Sequence, residues 1–442
     1  MDAEPQTSWH PDRSWADPLI SVLALLALLA SAYTLWARQL SAKRPSERAG
    51  LPARLMEVAL AGPKLLTGQP APATQWAKAE QQLKEPWDQA LLAVLKAELN
   101  GPKPQKPAAT PPGAPGERLL QVWLAAYGEG PLPDQAARAE IHRRLGGGFA
   151  ADLLEARLRD REGSGEALRA KAGNAFRIRV VGLGLLSGAV LALAAGGLAV
   201  GVYLLATRRK APPRSLPAWS MSGRAAAVVL LAWFLAFFLS GNLAALLLSP
   251  WPSLRWVALP AGYLMQAAFG ISLICKAEGI SFRALWRRLN PGQPGPDLAW
   301  GAAFLALAVF LVILVALLAS PILKPNQSAQ RDLQEMLRGI SGLGPTLALF
   351  FTVAGLAPVF EELLCRGFLL PILARKQGMV LALLLSALLF GAMHLQPAGL
   401  PTLCTLGLAL GLAMRQTGSL RTPILLHACW NGSLFLLMRA FA

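Results

Sequence analysis

The chain has 442 residues, of which 54% are hydrophobic and only 15% are charged, and its mean hydropathy is +0.43. A soluble protein of this size carries about 25% charged residues, so the composition excludes a disordered chain and an ordinary cytosolic enzyme. It indicates a polytopic membrane protein. The formal net charge of +17 would suggest nucleic acid in a soluble protein, but basic loops usually reflect the positive-inside rule. We therefore expect no nucleic acid as a partner.

A helix that spans a membrane needs about 20 mostly apolar residues. Nine segments have or approach this length, and they predict an all-α, polytopic bundle of about nine spanning helices. We expect the bundle to lie in a plasma membrane, with a bacterial inner membrane as the expected location. Because Arg13 is the only basic residue ahead of the first segment and the apolar run is long, we interpret that segment as an uncleaved anchor. The segments are 19–36, 180–206, 225–248, 256–275, 298–323, 343–370, 379–395, 399–414 and 422–441.

The composition divides the chain into four parts. Residues 1–37 contain the first membrane helix, and residues 38–179 form a polar, helical accessory domain with a Pro-rich linker at 101–116. Residues 180–215 contain the second membrane helix. Residues 220–442 hold the remaining membrane segments.

Helical periodicity is clearest in the accessory domain. Helix-like stretches cover 76–99, 117–127, 133–145 and 149–161, and three glycines at 146–148 interrupt them. Apolar residues recur at helical spacing within the first stretch: Leu83, Trp87, Leu91, Leu92 and Leu95. We interpret His142, which lies among arginines, as a solvated surface residue, and we find no catalytic pattern in this domain.

The basic residues of the short loops predict the topology. With the amino terminus inside, the inside loops hold most of the arginines and lysines, including clusters at 208–210 and 287–288. This asymmetry favours an internal amino terminus, and it places the accessory domain on the external side.

Ionisable residues inside membrane segments are functional candidates because they cost about 2.5–3.5 kcal/mol each to insert. The carboxy-terminal part contains three short groups of this kind, within segments six, seven and nine. They are Glu361, Glu362 and Arg366, then Phe390 and His394, then His427 and Asn431.

The spacing of these residues has a geometric meaning on helices. Glu362 and Arg366 are four apart and can pair on one face, while Glu361 is turned by about 100° and can face a cavity. If the chain turns at Gln377–Gly378, Glu361 and His394 each lie 16 residues from that turn, at a matching depth of about 24 Å. The same counting places His427 at a shallower depth.

Such a group could support two kinds of hydrolysis. A desolvated carboxylate can act as a general base toward water, and imidazole and amide groups can stabilise an oxyanion. Alternatively, one glutamate and two histidines could hold a zinc ion that activates water. The HExxH signature of soluble metalloproteases is absent from the sequence.

At these residues the chain resembles the CPBP (CAAX protease and bacteriocin-processing), or Abi, family of intramembrane proteases, which includes eukaryotic CAAX prenyl protease 2. The family pattern is EExxxR, FxxxH and Hxxx(N/D) on successive membrane helices, and the sequence matches all three motifs. The resemblance covers about residues 220–442.

The resemblance implies a role for each matching residue. Glu361 would be the base that activates water, and Glu362 and Arg366 would organise their helix. His394, His427 and Asn431 would position water or the oxyanion. If a metal is used, zinc or another divalent ion would be bound by Glu361, His394 and His427. The implied substrate is a membrane-associated peptide, CAAX-like or of another kind.

Three hypotheses follow from these patterns. The first is an intramembrane endopeptidase, on the basis of the three motifs. The second is a non-catalytic bacteriocin-immunity or scaffold protein with the same fold, on the basis of the large accessory domain. The third is a transporter, on the basis of the intramembrane charges, although no inverted repeat is apparent in the sequence.

Overall fold

The computed structural model describes residues 16–42, 49–99, 113–128, 130–207, 214–319, 337, 340 and 342–441, and these residues form helices without any β-strand. The all-α prediction is therefore confirmed. The helices are α1 (Ala16–Ala42), α2 (Leu51–Thr67), α3 (Ala73–Gln82), α4 (Pro86–Leu99), α5 (Ala114–Tyr127), α6 (Gln135–Arg144), α7 (Phe149–Asp160), α8 (Gly165–Thr207), α9 (Gly223–Leu247), α10 (Ala258–Glu278), α11 (Phe282–Leu289), α12 (Pro294–Ala319), α13 (Leu343–Gln377), α14 (Met379–Met393), α15 (Leu400–Thr417) and α16 (Arg421–Phe441).

The described part of the chain has six helical segments that are long and apolar enough to cross a membrane, as expected of a multi-pass membrane protein. They comprise α8, α9, α10 with the 3₁₀ turn before it, α12, α13, and α15 with the turn before it. Two shorter apolar helices cover Leu19–Thr34 and Met379–Met393. The predicted segment 422–441 forms helix α16, but this helix is not among the six spans. The length and hydropathy of the described helices therefore give fewer spans than the nine predicted.

Clustering of contacts divides the chain into two compact units. One comprises Gln39–Ala189 with Phe441–Ala442, and the other comprises Met1–Arg38 with Val190–Ala440. We call them the accessory unit and the membrane unit. Helix α8 is continuous from Gly165 to Thr207, so the compositional boundary at 179–180 lies inside a helix.

The accessory unit is built on an apolar core of short helices. The predicted stretch 76–99 is divided into α3 and α4 because Pro86 disfavours helical backbone at the residue before it. All five periodic residues of this stretch are at most 5% exposed: Leu83, Trp87, Leu91, Leu92 and Leu95. Helix α2 was not among the predicted stretches. Most of the Pro-rich linker, residues 101–112, lies outside the described residues.

The three-glycine segment connects α6 to α7 and accommodates a buried ion pair. Nη1 of Arg54 lies 3.0 Å from Oε2 of Glu57, and Oε1 of Glu57 accepts a hydrogen bond from the backbone N–H of Ala150 at 2.6 Å. A Cβ atom at Gly148 would lie 1.5 Å from the Arg54 guanidinium. Burial raises the pKa of Glu57, and the charge of Arg54 opposes that rise.

His142 differs from its prediction as a solvated residue. Its side chain is 35% exposed, and Nε2 lies 2.9 Å from Oδ1 of Asp152. It joins α6 to α7 within the accessory unit. The contact gives it a structural partner that the sequence did not indicate.

Glycines let the helices of the membrane unit approach each other closely. A Cβ atom at Gly262 of α10 would lie 2.9 Å from Cα of Gly241 in α9, and one at Gly270 would lie 2.2 Å from the Trp233 ring. Similarly, a Cβ at Gly407 of α15 would lie 3.0 Å from Cα of Ala387 in α14. The predicted turn after α13 is present at Gly378, whose φ of 80° suits glycine.

Helix α13 contains two π-helical segments, Thr352–Leu356 and Leu363–Leu369. In the first, the N–H of Ala357 bonds to the carbonyl of Thr352, five residues earlier. If the same five-residue spacing continued, the carbonyl of Val353 would accept a hydrogen bond from the N–H of residue 358. That residue is a proline, which has no N–H. The Val353 carbonyl is therefore free for another donor. π-Helical turns of this kind often occur at functional sites.

Candidate active site

Three of the predicted residues form a buried chain of contacts. Nη1 of Arg366 lies 2.9 Å from Oε1 of Glu362, and both side chains are 0% exposed. The same carboxylate oxygen lies 2.8 Å from Nδ1 of His427. The contact between Glu362 and Arg366 is the i,i+4 pair that the spacing predicted.

Phe390 and the α15 backbone complete the surroundings of this ion pair. Nη2 of Arg366 donates to the carbonyl of Gly407 at 2.7 Å, and the guanidinium carbon lies 4.5 Å from the centre of the Phe390 ring. The same ring lies 5.0 Å from the His394 ring and 5.4 Å from the His427 ring. Phe390 thus packs against both histidines.

Glu361 faces away from the ion pair, as its angle on the helix predicted. Its Oε2 atom lies 4.0 Å from Nε2 of His394 and 3.9 Å from Nε2 of His427. This oxygen is buried and makes no hydrogen bond with any described residue. Both histidines therefore converge on one unpaired carboxylate oxygen. His427 reaches this oxygen although counting from its turn placed it shallower than Glu361.

The hydrogen bonds of the two histidines determine which ring nitrogen carries the proton. Nδ1 of His394 lies 2.7 Å from the carbonyl oxygen of Phe390, and Nδ1 of His427 lies 2.8 Å from the Glu362 carboxylate. Both partners are acceptors, so each Nδ1 is the donor, and the Nε2 atom of a neutral ring then carries a lone pair. Three acceptor atoms, two nitrogens and the Glu361 oxygen, consequently face one another.

Asn431 makes its hydrogen bond outside the group formed by the glutamates and histidines. Its Nδ2 group donates to the carbonyl of Val353 at 2.9 Å, the oxygen left free by Pro358. Among the described residues, no hydrogen bond joins Asn431 to the two glutamates or to the histidines. The structure thus groups Glu361, Glu362, Arg366, His394 and His427, and it gives Asn431 a backbone partner on α13.

A polar residue that the sequence reasoning missed lies beside Glu361. Gln266 of α10 is 5% exposed, and it lines the same small cavity as Glu361, Trp233 and Phe360. The space open to the centre of a water molecule in this cavity is about 10 Å³, about enough for one water. A glutamine within the apolar segment 256–275 was the available signal, but we considered only ionisable groups there.

The donor set can be tested for a metal ion. An ion bonded at about 2.05 Å to two atoms 3.9–4.0 Å apart would subtend about 145–155°, against about 109° in a tetrahedral zinc site. No group of three or more His, Cys, Asp and Glu side chains in the described part of the chain is arranged to hold a metal. As placed, the residues do not fit a zinc ion.

A larger cavity lies elsewhere in the membrane unit. It has a volume of about 410 Å³, and its lining includes Trp219, Arg214, Arg375 and Arg415 but no histidine or carboxylate. This cavity lies at the carboxy-terminal end of α13, since Arg375 is in the last turn of that helix. We place the candidate site at Glu361, where buried acceptors converge, rather than in this larger cavity.

Comparison with protein families found a match within the membrane unit. Residues 343–433 match the family described as type II CAAX prenyl endopeptidase Rce1-like. The match covers about a fifth of the chain and shows similarity to a CAAX-type intramembrane protease at the level of the family. It includes every residue of the three motifs, so the family that the motifs resembled is confirmed there. Comparison with curated proteins and with solved structures found no match.

Proposed function

We propose that the chain is an intramembrane endopeptidase that uses Glu361 to activate water for hydrolysis of a peptide bond in a membrane-associated peptide. The observation that carries the proposal is the buried, unpaired Oε2 atom of Glu361 with two histidine Nε2 atoms 3.9–4.0 Å away. The match of residues 343–433 to a CAAX-type protease family supports the reaction class.

The spacing of the three acceptors suits a water molecule. A water about 2.8 Å from two atoms separated by 3.9–4.0 Å subtends about 90°, close to the angle between its own hydrogens. Two of the three acceptors take those hydrogens, and a lone pair of the oxygen remains for attack. Glu361, His394 and His427 thereby orient the nucleophile.

The reaction then proceeds by general base catalysis. Glu361 takes a proton as the water oxygen bonds to the carbonyl carbon, and the carbonyl oxygen becomes negatively charged. Collapse of this intermediate breaks the C–N bond, and the proton passes to the leaving nitrogen. The products are a free carboxylate and a free amine, so the sequence needs no co-reactant other than water.

Glu362 and Arg366 act through His427 and α13. The Glu362 carboxylate accepts from Nδ1 of His427, which keeps the lone pair on Nε2 and directs it at Glu361. Arg366 compensates the charge of Glu362 and anchors it to α15 through the Gly407 carbonyl. Both are positioning residues in this scheme.

The test compares free peptide termini in membranes of cells that carry the wild-type chain or Glu361→Gln at equal abundance. We expect termini that occur only with the wild type, because glutamine keeps the shape of the side chain but cannot accept the proton. Ser272→Ala serves as a matched control, since Ser272 is exposed on α10 and bonds only to its own helix at Ala268.

Identical termini with both folded chains would refute the protease. In that case deletion of residues 40–175 would test the scaffold or immunity hypothesis. Loss of function on deletion, with Glu361→Gln active, would favour that alternative.

A further inference from the structure

The larger cavity of the membrane unit concentrates positive charge that the proposed function does not use. Its volume of about 410 Å³ is within the range of pockets that bind small molecules, about 300–1,000 Å³. Three arginines line it, Arg214, Arg375 and Arg415, and its described lining includes no acidic side chain. We call it the arginine cavity. Like charges around one cavity repel each other, so the lining favours an anionic ligand.

Arg415 brings an unused donor to this cavity. Its Nε atom is buried and makes no hydrogen bond with any described residue. Arg375 has only uncharged partners there: Nη1 donates to the carbonyl of Trp219 at 2.6 Å, and Nη2 donates to that of Met221 at 3.4 Å. A buried donor without a partner costs free energy, and a ligand oxygen would supply the missing acceptor.

The arginine cavity lies where three helices of the membrane unit begin or end. Arg375 is in the last turn of α13, Met379 is the first residue of α14, and Arg415 is in the last turn of α15. The remaining wall is the segment 214–219 ahead of α9. Basic pockets between membrane helices are typical sites for the headgroups of anionic phospholipids.

Helix α11 indicates that this end of the membrane unit lies at the membrane surface. Phe282 and Trp286 are four residues apart on one face and are 58% and 40% exposed. Arg283 and Arg287 are exposed beside them. Exposed aromatic rings with arginines beside them are typical of a helix that lies in the interface, at the level of the lipid headgroups.

Direct contacts join α11 to the arginine cavity. The guanidinium carbon of Arg288 in α11 lies 5.6 Å from the centre of the Trp219 ring, which lines the cavity. The backbone N–H of Leu420, which follows α15, donates to the carbonyl of Leu289 at 2.9 Å. The cavity and α11 are therefore at the same end, which the loop charges predicted to face the inside, where the membrane leaflet carries anionic lipids.

Helix α14 offers an apolar surface for acyl chains next to the cavity. It begins with Met379, which lines the cavity. From there Val380, Leu384 and Leu388 follow at intervals of four on one face, and they are 72%, 54% and 51% exposed. A lipid whose headgroup lay among the arginines could extend its chains along this face, whereas a free phosphate ion would leave the face unused.

We propose that the arginine cavity binds the phosphate of an anionic phospholipid, with Arg415 as a donor to it and with the acyl chains along α14. Because the lipid would contact both the segment 214–219 and the ends of three helices, its binding stabilises the folded membrane unit. This site does not involve Glu361 or the histidines, so the inference is independent of the proposed function.

The test measures lipid binding by the purified full-length chain in a nonionic detergent. Dioleoylphosphatidylglycerol, dioleoylphosphatidylcholine and inorganic phosphate are added at equal concentrations, and binding is followed by native mass spectrometry and by the unfolding temperature. We expect phosphatidylglycerol to raise the unfolding temperature by at least about 2 °C, and the other two to leave it unchanged. Arg415→Gln should weaken binding of phosphatidylglycerol by about 10–100-fold, because it removes a hydrogen bond to a charged group.

Arg283→Gln is the matched control, since it removes the same charge from an exposed position on α11 outside the cavity. It should bind phosphatidylglycerol within about threefold of wild type. Without added lipid, Arg415→Gln should unfold at the wild-type temperature, because its Nε atom has no protein partner. If it does not fold, Arg214→Gln, at an exposed position of the cavity wall, should give the same weakening.

Three results would overturn the inference. The first is an equal response to phosphatidylcholine, which would show that the negative charge is not recognised. The second is an equal response to inorganic phosphate, which would show a site for an ion alone. The third is equal weakening in Arg283→Gln and in the cavity variant, which would show attraction by the whole basic surface.

Discussion

Replacing Arg366 with methionine tests whether the buried ion pair holds the candidate site together. Arg366 and Glu362 are both 0% exposed and 2.9 Å apart. Methionine fills much of the same space but leaves the Glu362 carboxylate without its countercharge. It also leaves the Gly407 carbonyl without the donor that lies 2.7 Å away.

The magnitude follows from these contacts. Removing one partner of a buried ion pair costs about 3–5 kcal/mol, because the other charge stays buried and uncompensated. The lost hydrogen bond to Gly407 is part of the same cost rather than an addition to it, since effects at neighbouring groups are not additive. We therefore expect Arg366→Met to lower the free energy of unfolding by about 3–5 kcal/mol.

The double variant Glu362→Gln with Arg366→Met separates charge from position. It removes both charges, so it should recover much of the stability lost in the single variant. It should not recover cleavage, because the neutral glutamine amide holds Nδ1 of His427 more weakly than the carboxylate that accepts from it at 2.8 Å. Stability and activity are thereby expected to diverge.

The assay is reversible unfolding of the purified proteins in mixed detergent, followed by circular dichroism, with cleavage measured on the same samples. Ser272→Ala is the control on an exposed face. An Arg366→Met protein within about 0.5 kcal/mol of wild type, the range of neutral surface substitutions, would refute the reasoning. A double variant as unstable as the single one would refute it equally.

Three further predictions test the packing, the metal and the topology. Gly270→Ala should lower cleavage and thermal stability, because its Cβ would lie 2.2 Å from the buried Trp233 ring, whereas Gly241→Ala, with no atom within 4 Å of its Cβ, should not. Purified protein should keep its activity after dialysis against a chelator, since the acceptors are too far apart for zinc; a loss restored by a divalent ion would contradict this. Ser164→Cys in the accessory unit should react with an impermeant maleimide in intact cells, and labelling only after lysis would place that unit inside.

Contacts within one helix were predictable from sequence spacing. Two features follow from the angle between successive helical residues: the pairing of Glu362 with Arg366, and the direction of Glu361 away from that ion pair. The turn at Gly378 followed from the local preference of glycine. These features need no knowledge of the neighbouring helices, and the structure has all of them.

Contacts between helices were decided by tertiary structure. Counting residues placed His427 shallower than Glu361, but the packing of α16 against α13 brings its Nε2 atom to 3.9 Å from the Glu361 carboxylate. The π-helical segment Thr352–Leu356, combined with the proline that follows it, frees the Val353 carbonyl and gives Asn431 a partner that its motif does not reveal.

The sequence by itself determined the helical membrane class, the three motifs and the family of residues 343–433, because these depend on composition and on short-range spacing. Only the tertiary structure brought Gln266 beside Glu361 and placed both histidines around one carboxylate oxygen. The physical reason is close helix packing. Where glycine removes a Cβ, as at Gly262 and Gly407, two helices approach at an angle and depth that neither segment specifies alone.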